Sequence, residues 1–177
     1  MKKNNNSNSS NYAWGMLRIS LGLTFLWAFF DKLFGLGFST CRGESGIVTI
    51  ACEKAVVSGG SATMGFLKFA TTGPLSDFYQ SLAGNLAIDV IFMTALLGLG
   101  LALTLGIGMK VATFSGVALM LMMWSAALLP ENNPIIDEHI IYSIALIGLL
   151  LVNDNQRLGL GRWWSKTNLV KKMQFLE

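Results

Sequence analysis

The chain has 177 residues, 53 % of them hydrophobic and only 13 % charged, with a net charge of +3 and a mean hydropathy of +0.53. This balance excludes an ordinary soluble domain, and so small a positive charge gives no footing for nucleic-acid binding. The expected fold is an all-α integral membrane protein: a four-transmembrane-helix bundle with a long outer loop containing short interfacial helices.

Residues 1–12, MKKNNNSNSSNY, are polar and low in complexity and are expected to be a disordered cytoplasmic N-terminus. They lack a compact cleavage pattern before the first apolar segment, so the first span is expected to be retained. That span, about 13–37, carries Arg18, Asp31 and Lys32 around the uncharged run Ile19 to Phe30. Charges in such a segment cost about 2.5–3.5 kcal/mol each at the helix centre, so they are paired, snorkelled to an interface or functional. Arg18, Gly22, Phe25, Phe29 and Lys32 share one face at helical spacing. Arg18 and Lys32 lie about 21 Å apart at 1.5 Å per residue, so snorkelling to opposite surfaces is one reading of them.

Residues 38–84 form the outer loop and hold both cysteines, Cys41 and Cys52. With no other thiol to compete, a disulfide stiffening this loop by about 2–3 kcal/mol is expected, with a redox-active pair as the alternative. Within the loop, Met64 to Ala70 and Leu75 to Leu82 are apolar stretches too short to span, split by Gly73-Pro74. They read as short interfacial or re-entrant helices.

The second span, about 85–106, starts near Asn85 and Asp89 and is rich in glycine, which lets helices approach closely in lipid. The third, about 110–129, carries Met120, Met122, Met123 and Trp124, the methionines reading as adaptable packing. The fourth, about 135–153, opens with Asp137, Glu138 and His139. Residues 13–153 thus make the membrane domain, and 154–177 a cytoplasmic tail with Trp163 and Trp164 as an interfacial anchor. Placing both termini in the cytoplasm puts eight Lys and Arg against two acids inside, and four against eight outside. The positive-inside rule therefore predicts a multi-pass cell-membrane protein with N- and C-termini cytoplasmic, in contact with membrane lipids.

That topology brings the ends of all four spans together at the outer boundary. His139, Asp89 and Lys32 are the polar groups of a candidate quinone site, with Phe25, Trp27, Phe29, Trp124 and Tyr142 as an aromatic slot. The competing reading of Asp137 and Glu138 is a helix start, where negative charge complements the dipole. No metal-ligand spacing or haem-binding histidine pair is visible, so no metal or haem is expected.

The stretch RISLGLTFLWAFFDKL, the glycine-rich second span, NPIIDEHIIYSIALIGLLL and the closing LGLGRWW resemble the DoxX/DoxD-like membrane proteins. The long loop with Gly73-Pro74 resembles most the DoxD branch, a membrane subunit of thiosulfate:quinone oxidoreductase. The resemblance implies a subunit that helps oxidise thiosulfate to tetrathionate outside and passes electrons to membrane quinone, beside a DoxA-like partner. It also implies that Arg18, Lys32, Asp89 and His139 are catalytic. The alternative is a non-catalytic accessory or structural subunit of a larger respiratory or other membrane enzyme complex.

Overall fold

The computed structural model describes residues 5–43, 45–130, 133, 135–152 and 158–176. Helix α1 runs Asn5–Phe34. The segment expected to be disordered to residue 12 is thus helical from Asn5, while residues 1–4 lie outside the described residues. Once the apolar run from Tyr12 onward has nucleated the helix, each further residue adds a hydrogen bond at little cost, and no proline or glycine precedes Gly15 to stop it. At the other end Gly35 adopts the left-handed conformation. Its N–H donates to Asp31 O at 2.7 Å and closes the helix short of the expected residue 37.

Short helices α2 (Met64–Phe69) and α3 (Ser76–Ser81) follow in the loop, after a disulfide joining Cys41 to Cys52. Helix α4 spans Leu86–Leu105, started by Asn85, whose side chain accepts from Ala87 N, and ended by left-handed Gly106. Helix α5 (Met109–Ala126) begins after left-handed Gly108 and stops three residues short of the expected 129. Helix α6 (Glu138–Leu151) has 14 residues, about 21 Å at 1.5 Å per residue. The tail adds α7 (Gly161–Trp164) and α8 (Asn168–Lys172). Among the described residues no strand forms, only isolated bridges at Arg42–Val48 and Thr72–Ala127.

Three helices, α1, α4 and α5, are long and apolar enough to cross a membrane. Their outer faces carry Leu23, Ile91 and Phe114, each more than half exposed, which suits contact with lipid. Helix α1 lies against α4, α4 against α5 and α5 against α6, while α1 and α6 touch only lightly. Leu21, Phe25, Leu99, Leu103, Leu119, Leu146 and Leu149 fill the core between them. The closest approach is at Gly22, where an added Cβ would fall 2.5 Å from Thr104 Oγ1 and 2.6 Å from its backbone N. The loop docks on the C-terminal end of α5: Thr72 N donates to Ala126 O at 2.9 Å, and the Tyr79 and Ser125 hydroxyls lie 2.6 Å apart. This end of the bundle is the loop end, and the opposite one the tail end.

Candidate functional site

At the loop end a cavity of about 810 Å³ opens among all four long helices. Helix α1 contributes Phe25 and Lys32, α4 Phe92 and Leu96, α5 Met120 and Met123, and α6 His139 and Tyr142. Loop residues including Ser39, Thr40, Lys54 and Phe66 roof it. The walls are thus largely apolar and aromatic, with a small number of polar groups converging, the usual make-up of a small-molecule site.

His139 is placed by the start of α6. Asp137 caps that helix, its Oδ1 accepting from the backbone N–H of His139 at 3.0 Å and of Ile140 at 3.2 Å. Its Oδ2 lies 2.7 Å from His139 Nδ1. A carboxylate can only accept, so Nδ1 carries a proton, and in the neutral imidazole Nε2 is left as an acceptor. Among the described residues no hydrogen bond engages Nε2. Asp137, Glu138 and His139 bring donor atoms within 4.8 Å of one another, but the Asp137 carboxylate is already occupied by the helix start and the imidazole. Asp137 is therefore both helix cap and orienter, the first role being the one its position in the sequence announced.

Lys32 faces the cavity with no hydrogen bond or ion pair to its Nζ among the described residues. The ammonium lies 5.8 Å from the centroid of the Phe92 ring, a cation–π distance. Its neighbours in charge are Asp31 and Asp89, and both are committed elsewhere. Asp31, 1 % exposed, accepts from the backbone N–H groups of Phe38, Ser39 and Thr40 at 2.9–3.0 Å and from the Ser39 hydroxyl. Asp89 Oδ1 accepts from the Ser61 hydroxyl at 3.0 Å, Thr63 N at 2.8 Å and Thr63 Oγ1 at 2.7 Å. Each carboxylate pins one part of the loop to the bundle, and Asp89 does not line the cavity.

Arg18 is fully buried at the tail end, about 21 Å from Lys32 along α1. Its Nη1 donates to Leu103 O at 2.6 Å and its Nη2 to Leu158 O. A guanidinium on Leu103 O, in the last turn of α4, satisfies a group the helix leaves unpaired and complements its dipole. It therefore neither snorkels nor lines the cavity. Gly106 and Gly159 make its room: a Cβ at the former would fall 2.3 Å from Nη1, and at the latter 2.8 Å from Nη2.

Of the expected aromatic slot, Phe25 and Tyr142 line the cavity. Phe29 packs beside the core. Trp27 is 46 % exposed, edge-on to Phe38. Trp124 Nε1 donates to Ile135 O at 2.8 Å and ties α5 to the segment before α6. The slot is completed instead by Phe92, Met120 and Met123. Phe92 lies three residues beyond Asp89 on the same face of α4, and the two methionines are likewise three apart, so helical spacing was the available signal.

No family model, curated protein or solved structure matches the chain.

Proposed function

We propose that the chain is a membrane subunit of a quinone-linked oxidoreductase, with the loop-end cavity as the quinone-headgroup site. The observation that carries this reading is the presence of an unpaired ammonium, Lys32, and an unengaged imidazole nitrogen, His139 Nε2, in one largely apolar cavity. A quinone accepts two electrons and two protons, and the oxidation of two thiosulfates to tetrathionate releases two electrons. Lys32 offers a donor to one carbonyl oxygen as negative charge builds on it. His139, oriented by Asp137, receives a proton at Nε2 and delivers it within the cavity. Phe25, Phe92 and Tyr142 supply flat apolar surface for a ring and keep water away from it.

In this reading the chain crosses the membrane four times. Ile135 and Ile136, both exposed, lengthen the apolar reach of α6 ahead of its cap. Both termini are cytoplasmic and the loop faces outward, as the distribution of Lys and Arg argues. Thiosulfate as donor and a DoxA-like partner rest on the resemblance of the chain to DoxD-type subunits. The test is quinone reduction by membranes carrying the chain and its partner with thiosulfate as donor. His139→Ala lowers the rate about a hundredfold, the scale of one general acid–base group, at unchanged protein level. Full reduction by His139→Ala and by Lys32→Met overturns the proposal.

One observation favours a second reading, an accessory subunit of a larger complex: Arg18, Asp31 and Asp89 each hold distant parts of the chain together by internal hydrogen bonds. In that case His139→Ala leaves the rate of the complex intact, and mutation of the buried charges lowers its yield instead.

A further inference from the structure

The chain that leaves α1 turns back along it instead of rising away. Trp27 stands about two turns, or about 10 Å, before the last residue of the helix, Phe34. The Phe38 ring nonetheless lies 4.9 Å from the Trp27 ring, edge-on. Asp31, short of the helix end, holds the same segment back: its carboxylate accepts the backbone N–H groups of Phe38, Ser39 and Thr40. Trp27 lies one turn beyond Leu23 on the side of α1 that suits lipid, so Phe38, 65 % exposed, widens that side. Two more apolar side chains, Ile47 and Ile50, are 69 % and 68 % exposed on the arm that returns to the helix. Ala51, the next residue of that arm, donates its N–H to Phe34 O at 2.9 Å. From Gly35 to Ala51 the sequence holds two charges, Arg42 and Glu44; Arg42 is exposed, and Glu44 lies outside the described residues.

We infer that the disulfide-closed segment from Phe38 to Ile50 is seated in the loop-side edge of the bilayer, with Phe38 and Ile50 against acyl chains and Arg42 reaching lipid phosphate. Irregular backbone at membrane depth is tolerated only where its polar groups find partners, a demand that a loop in water does not face. This segment meets it from within. Besides the three N–H groups taken by Asp31, Thr40 O accepts from Gly37 N at 2.9 Å, Cys41 O from Thr49 N at 3.2 Å and Ile47 O from Gly43 N at 2.9 Å. The bridge between Cys41 and Cys52 ties the two arms together, so little further ordering is needed when they meet lipid. An arginine among apolar side chains is the pattern of an interfacial element, its stem in the acyl region and its head at the phosphates. Lipid is the occupant because the patch continues the lipid-facing side of α1 and the fold-back keeps Phe38 within the length of that helix. The inference rests on α1 crossing a membrane and not on the quinone reading.

The experiment uses the full chain in phosphatidylcholine nanodiscs, with 4-trifluoromethyl-phenylalanine placed singly at Phe38, Ile50 or Phe114. All three side chains are exposed, so the label meets little resistance, and each labelled chain is first shown to keep its unfolding midpoint and its disulfide. Fluorine NMR then reads line broadening by dissolved oxygen, which concentrates in hydrocarbon, and by a nickel chelate, which stays in water. Phe114 on α5 is the lipid reference, and the free amino acid in buffer is the water reference. A side chain bedded about 5–10 Å into the headgroup–acyl boundary raises the oxygen-to-nickel ratio about threefold or more above the water reference, at both Phe38 and Ile50. A smaller ratio at either position overturns the inference. Weak broadening by both agents, the mark of a site covered by protein, overturns it in favour of a second copy of the chain. A water-like ratio at Phe114 overturns the membrane reading itself, and the seat with it.

Discussion

His139 Nδ1 lies 2.7 Å from Asp137 Oδ2, while the other oxygen of the same carboxylate caps α6 through His139 N and Ile140 N. One side chain thus starts the helix and sets the tautomer of the imidazole it positions. Asp137→Asn keeps a capping oxygen and loses the charged partner, whereas Asp137→Ala loses both. The alanine variant is expected to lose about 1 kcal/mol of stability, the asparagine variant much less. Nitrogen NMR of His139 separates the roles: the proton leaves Nδ1 for a mixed tautomer population in both variants. An unchanged tautomer would show that the carboxylate does not orient the ring.

Arg18 holds carbonyls from two distant parts of the chain, Leu103 and Leu158. Arg18→Met leaves the buried Leu103 O and the half-buried Leu158 O without this donor, at about 1–3 kcal/mol for the buried one. Arg18→Lys recovers one of them at most, since an ammonium is a point donor and cannot fork. Thermal unfolding in detergent should rank the native chain above Arg18→Lys and that above Arg18→Met. Equal midpoints would remove the clamp from the stability account.

Gly22 is where α1 meets α4 backbone to backbone. A methyl group there falls 2.5 Å from Thr104 Oγ1 and 3.0 Å from Gly100 O, so Gly22→Ala forces the helices apart. Overpacking of this kind costs about 1–3 kcal/mol. Gly98→Ala is the control, because nothing lies within 4 Å of its added Cβ; its unfolding midpoint should stay with that of the native chain while that of Gly22→Ala falls.

Asp31 and Asp89 fasten different parts of the loop, residues 38–40 and 61–63 respectively. Loss of Asp31 leaves the backbone N–H groups of Phe38, Ser39 and Thr40 unpaired, and loss of Asp89 leaves that of Thr63 so, at about 1–3 kcal/mol for a buried one. Limited proteolysis is the sensitive measurement. Asp31→Ala should speed cleavage near Phe38, releasing an N-terminal fragment without reduction because both bridged cysteines lie beyond the cut, and Asp89→Ala should speed cleavage near Ser61. Uniform protection in both variants would mean that the loop is held by other contacts.

Composition and apolar run length were enough to find three helices able to cross a membrane, because that property is a sum over residues and needs no partner. The bridge between Cys41 and Cys52 was also legible, there being no competing thiol. Lys32 and His139 were placed together by reasoning about which helix ends meet. What stayed hidden were the partners of the charges. Nothing around Arg18 in the sequence points to Leu158 O, 140 residues away, and nothing around Asp89 points to Thr63. The length of α6 was overestimated because apolar residues flank it on the side where Asp137 fixes its first turn. Phe92 and the Met120–Met123 pair were passed over because aromatic and thioether side chains on a helix are usually packing, and only the gap between four helices makes them walls.

The clamp on Arg18 also sets an order of events during synthesis. Its second acceptor does not exist until the ribosome has added about 140 further residues, roughly 7–28 s at about 5–20 residues per second. Throughout that interval the first helix carries a guanidinium whose final resting place has not been made. Helix α1, made before α4, α5 and α6, is therefore among the last of them to settle, and a chain truncated before Leu158 would display its defect around Arg18, 140 residues away.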